Sequence, residues 1–173
     1  MRALHPILLL LACLSVAVAA DRKIAQKPAP SIVFRQPFTL KLHVDKDHYY
    51  EEKQKKVPYV HDNNVYLFKG EEFGITLEKQ DGAVRTVRYQ SDLKKADVTL
   101  KFNQEITSDG KGTMMLVIGN RTDQTLLMDG LMTVPTEKKI FETSIIPVQP
   151  RLTNYEAWPH PIVQLVLTHI RLK

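Results

Sequence analysis

From residue 38 onward apolar and polar side chains alternate with a period of two, and few folds tolerate that pattern. Phe38, Leu40, Leu42 and Val44 alternate with Thr39, Lys41 and His43, which sets four apolar side chains on one face of an extended strand. Phe73, Ile75 and Leu77 repeat the pattern, Asp81-Gly82 supplies a type I′ turn, and residues 83–89 return as the second arm of a hairpin. Val98, Leu100 and Phe102 lead through a Gly-rich stretch, Gly110-Lys111-Gly112, into a further strand over 114–118. Short strands over 57–60 and 65–68 flank a turn at Asp62-Asn63-Asn64, because Asp and Asn accept the backbone a turn requires. No segment longer than two turns carries the 3.6-residue stripe of an amphipathic helix.

The remaining stretches are assigned from weaker signals. Residues 48–56 are charged without a period and are expected to form a loop or a short helical turn. Residues 125–134 read as a strand, with Asp129-Gly130 marking a bulge. The last element, 162–172, is apolar on both faces (Val163, Leu165 and Leu167 against Ile162, Val166 and Ile170), as a strand in the middle of a sheet must be. The total is about eight or nine strands with turns at the cadence of an antiparallel sandwich or barrel. The stretch 116–132, with Gly119-Asn120-Arg121-Thr122 between two strands, resembles a common hairpin of bacterial immunoglobulin-like envelope domains. That resemblance implies an all-β, single antiparallel β-sandwich of immunoglobulin-like type rather than a closed barrel, and it carries no function.

The N-terminus has the layout of a secretory signal peptide. Arg2 is followed by an apolar run over 7–20 interrupted only by Ser15, ending in Ala19 and Ala20 before Asp21. The run is too short for a spanning helix, which needs roughly 20 apolar residues. The expected organisation is a signal peptide over 1–20, a flexible Pro-containing tether over 21–31 and a β-sandwich domain over 32–173. Cleavage near Ala20 implies a periplasmic or secreted location. Leu10-Leu11-Ala12-Cys13 resembles a bacterial lipobox, so Cys13 is the candidate lipidation site and the only route to a membrane. The residues after it stay apolar, which favours plain packing within the leader.

Cys13 is the only cysteine of the 173 residues, so a domain over 32–173 has neither disulfide nor thiol chemistry, and that tilts the source towards a bacterial envelope. The formal charge of +5 is scattered along the chain, and no nucleic-acid recognition motif accompanies it. The chain carries no nucleophile elbow, P-loop, dinucleotide fingerprint or zinc-protease motif. Adjacent carboxylates, Glu51-Glu52 and Glu71-Glu72, would point to opposite faces of a strand and so cannot flank one substrate. Neither an enzymatic activity nor a cofactor is expected.

Two groups of residues remain as candidates for binding. Pro147, Pro150, Pro159 and Pro161 stiffen a segment that holds the only tryptophan. A rigid loop displaying Tyr155, Trp158 and His160 would lose little entropy on docking, whereas Trp158 folded inward would merely cap the sandwich. His43, His48, Met114, Met128 and Met132 offer imidazole and thioether ligands that suit copper, though methionine is equally a filler of core gaps. The reading that follows is an exported, non-catalytic binding module whose partner is an envelope protein or a surface polymer. A periplasmic copper carrier using His and Met is the first alternative, and a hydrolase of unknown type the second.

Overall fold

A computed structural model describes residues 31–107 and 110–173; the expected signal peptide, most of the tether and Cys13 lie outside them. Twelve strands follow in chain order: β1 (Phe38–His43), β2 (Tyr49–Gln54), β3 (Val60–His61), β4 (Asn64–Leu67), β5 (Glu71–Gln80), β6 (Ala83–Gln90), β7 (Val98–Ile106), β8 (Gly112–Asn120), β9 (Leu126–Val134), β10 (Glu137–Ser144), β11 (Thr153–Trp158) and β12 (Gln164–Leu172), with one turn of 3-10 helix at Leu93–Lys95. They form two five-stranded sheets, β10-β9-β12-β4-β3 and β11-β8-β7-β5-β6, and a separate ribbon of β1 and β2. Every pairing between strands is antiparallel.

The period-two signal places the core. Val98, Leu100 and Phe102 of β7 and Met114, Leu116 and Ile118 of β8 point inward, and from the opposing sheet come Leu126 and Met128 of β9 and Leu165, Leu167 and Ile170 of β12. Burying side chains of this kind stabilises the fold by roughly 1.5–3 kcal/mol each relative to exposure. Leu40 and Leu42 insert the ribbon into the same core. The β5–β6 hairpin turns at Asp81 (φ 53°) and Gly82 (φ 79°), as the Asp-Gly pair predicts. β12 lies in the middle of its sheet, as its apolar composition predicts.

The structure corrects the strand count and four local assignments. Twelve strands form instead of eight or nine, because β2, β10 and β11 carry little apolar alternation. β2 lies in the stretch expected as a loop or helical turn; it is held by its ladder to β1, which sets Glu51 opposite Lys41, and not by a buried face. β11 lies in the segment expected as a rigid loop: all four prolines fall outside its six residues, so its ladder to β8 is complete. The stretch 116–132 is no hairpin, since β8 and β9 belong to different sheets and 121–125 crosses between them.

The bulge sits on β12 rather than at Gly130. Thr168 faces Asp129 and Arg171 faces Leu127, so β12 carries one extra residue, and His169 adopts φ 50° to accommodate it. That residue turns Ile170 back into the core. Gly130 answers a different need, because a Cβ there would lie 2.7 Å from Thr143 Cγ2 on β10.

Candidate functional site

The edges of the two sheets are stitched together on both sides of the sandwich, and this decides which side chains remain free to bind. On one side β11 runs beside β10. Along β11 alternate side chains point inward, and the inward set does the stitching. The Trp158 indole N–H donates to Thr143 Oγ1 of β10 at 3.0 Å, and its ring packs edge-on against Phe102 at 6.4 Å. Glu156 Oε1 accepts the backbone N–H of Ile146 at 2.8 Å and an amide N–H of Asn154 at 3.3 Å. On the other side, Asn63 at the β3–β4 turn acts as a surrogate strand for the free edge of β6. Its amide donates to the Arg85 carbonyl at 3.0 Å and accepts the Val87 N–H at 2.9 Å. Below it lies a cleft of about 660 Å3, lined among others by Ile32, Val33, Val60 and Tyr89.

Tyr155, Trp158 and His160 do not form one displayed cluster. Trp158 is 8% exposed and belongs to the core. Tyr155, an odd number of residues away on the same strand, points to the opposite face and is 63% exposed. Ile146 and Leu152, at the same edge, are 59% and 57% exposed. Sequence reasoning passed over both residues because each lies next to a turn, where no periodicity exists to place them. His160 sits beyond β11, half-buried, and lines an apolar hollow of about 300 Å3 with Val44, Met132, Val134 and Phe141.

The copper candidates are dispersed. Met114 and Met128 are buried in the core from opposite sheets, and Met132 joins His160 in the hollow. The His43 ring lies against Tyr49 at 4.1 Å, with its backbone gripped by Gln104 through bonds of 2.9 and 2.8 Å. His48 Nδ1 is 2.8 Å from Asp45 Oδ1 in the β1–β2 turn. The same Asp45 oxygen accepts the N–H groups of Asp47 and His48, and these bonds, that from Asp47 foremost, hold its carboxyl below the usual aspartate range. Among the described residues no group of three or more His, Cys, Asp or Glu is placed to hold a metal.

The adjacent carboxylates separate as strand geometry requires. Glu71 turns inward to Arg35, pairing with it through both oxygens, while Glu72 turns outward to Lys101 at 3.6 Å. Arg35 also donates to the carbonyls of Pro58 and Tyr66 and stacks over the Tyr59 ring at 4.0 Å. This pair is therefore a clamp between the sheets, with four of the five guanidinium N–H groups engaged. Compared with family models, curated proteins and solved structures, the chain has no match.

Proposed function

We propose that this chain is an exported, non-catalytic binding module on an immunoglobulin-like sandwich, and that its partner, an envelope protein or a surface polymer, docks on the edge formed by β11. The observation that carries this reading is the division of labour on that strand. Trp158, Asn154 and Glu156 lock its inner side to β10 and to Ile146 just beyond it, while its outer side holds Tyr155 in solvent beside the exposed Ile146 and Leu152. A tyrosine on a locked strand has little conformational entropy left to lose on binding, and exposed apolar side chains on such an edge gain from being covered. The signal-like run over 7–20 between Arg2 and Asp21 supports export, and the crossover between sheets at 121–125 fits a sandwich of this class.

A photo-cross-linking residue placed at Leu152, exposed beside Tyr155, should capture a discrete partner from the native envelope, whereas one placed at Lys53, on the exposed face of the ribbon, should not. Tyr155→Ala should weaken that capture about 30-fold, the loss expected for a central aromatic anchor, without lowering the melting temperature. Equal capture from both positions, or none from either, overturns the reading.

A further inference from the structure

A second surface, which meets that edge where Arg151 adjoins Leu152, stands on other observations. Four separate segments converge on a cleft of about 480 Å3 that is lined by Lys79, Lys94, Lys95, Arg121 and Arg151. Lys79 comes from the end of β5, Lys94 and Lys95 from the 3-10 turn before β7, Arg121 from the β8–β9 crossover, and Arg151 from the turn before β11. The chain carries +5 overall, of which three belong to residues 1–30 (Arg2, Arg22, Lys23 and Lys27 against Asp21), leaving +2 for 31–173. Five cations around one concavity are thus a concentration of charge that the rest of the domain does not share. Low-dielectric walls focus the potential of such a cluster outward.

The cleft is built, because its walls are pinned by buried bonds. The Asn120 side chain, 2% exposed, donates to the carbonyls of Gln124, Val148 and Gln149 at 2.8, 2.9 and 3.2 Å, which ties the Arg121 loop to the segment that leads into Arg151. The Arg121 N–H donates to the Asp97 carbonyl at 2.8 Å, and one guanidinium nitrogen donates to the Leu93 carbonyl at 2.6 Å. Among the described residues the rest of that planar fork has no partner, and Arg121 lines the cleft. Two acids share the cleft, Asp97, whose carboxylate accepts the Leu77 N–H at 2.7 Å and keeps its charge, and the exposed Asp123, so five cations against two acids leave the lining a net +3. Lys95 has Asp92 at 3.6 Å, but among the described residues nothing holds the Lys94 ammonium or the Arg151 guanidinium. Arg151 is also fixed at φ 62°, a backbone state that side chains other than glycine rarely adopt.

From this we infer that the cleft between the 3-10 turn, the β8–β9 crossover and the β10–β11 connection binds a phosphoryl- or sulfuryl-type oxyanion. Two arginine forks and three lysine ammoniums match the tetrahedral, multiply charged oxygens of that group. The cleft is larger than one such group, so a linked pair fills it better than a lone ion.

Inorganic pyrophosphate and long-chain polyphosphate serve as probes, followed by amide chemical-shift perturbation and calorimetry at moderate salt. Both should saturate, with shifts centred on Lys94, Arg121 and Arg151, and Lys94→Gln/Lys95→Gln should weaken binding at least about tenfold, as losing two charge-assisted contacts implies. These two side chains are exposed, so the variant keeps its melting temperature. Lys53→Gln/Lys55→Gln, a loss of two remote cations, should leave affinity unchanged. Tighter binding of the polymer per phosphate identifies a chain-borne ligand, and equal binding identifies a free one. Failure of both probes to bind, or equal weakening by the two double variants, overturns the inference and leaves the Tyr155 reading untouched.

Discussion

Trp158 and Tyr155 lie three residues apart on one strand and face opposite environments, so single substitutions there should separate stability from recognition. Trp158→Ala removes a core ring and its bond to Thr143, and should cost about 3–5 kcal/mol in denaturant unfolding. Tyr50 offers a test of local electrostatics. Burial, and then a hydrogen bond from its hydroxyl to Glu52 at 2.7 Å, push its pKa up to about 12. A phenol that holds its proton more tightly in the folded state stabilises the fold below the ordinary tyrosine pKa, near 10. That contribution is lost as pH rises through the folded value. Alkaline titration of phenolate absorbance should therefore show Tyr50 lagging farthest, with Tyr89, also pushed up by burial, behind the ordinary range; the Tyr50 phase should be absent in Tyr50→Phe, and the wild type should lose more stability between about pH 10 and 12 than that variant does.

At the scale of the element, strands with one buried face were legible, and strands held by their edges were not. β1, β5, β7 and β8 bury alternate side chains in a shared core, so a one-residue slip would expose them all and the pattern is sharp. β2, β10 and β11 lie at the margins of their sheets, and backbone pairing holds them without demanding an apolar face, which removes the periodic signal. A glycine within a strand, such as Gly130, has two meanings, a bulge or a close approach, and only the neighbour across the ladder distinguishes them. Gly130→Ala should press its methyl onto Thr143, cost about 1–3 kcal/mol and disturb the β9–β10 amides first in hydrogen exchange. Asn63→Ala frees the Arg85 carbonyl and Val87 N–H on β6. The loss is about 1–3 kcal/mol, and the unmasked edge should raise concentration-dependent association in sedimentation; Asn63→Asp, which keeps only the acceptor, should fall between.

For the whole molecule the decisive device is Arg35, which lies ahead of the first strand and yet reaches both sheets. Glu71 belongs to β5 in one sheet and Tyr66 to β4 in the other, so one guanidinium bridges the two sheets where the chain passes from β4 to β5. Arg35→Ala leaves Glu71 buried without its partner and should cost about 3–5 kcal/mol, lowering a single cooperative transition rather than splitting it. The double change Arg35→Met/Glu71→Leu should recover most of that loss, since it removes both charges together. An unfolding curve for Arg35→Ala superposable on wild type would show that the clamp bears little of the closure between the sheets.

Local order in the chain determined that the described part would be all β, where most of its core would lie and that its last strand would be central, because burial against a single interior imposes a period each strand records in its own residues. Which edges meet, which inward side chain stitches them and which outward one stays wet were decided only in three dimensions. Trp158 and Thr143, Asn63 and β6, and the five cations of the cleft are brought together by chain crossings, and no spacing along the sequence encodes contacts between segments that find each other only once the sheets have closed.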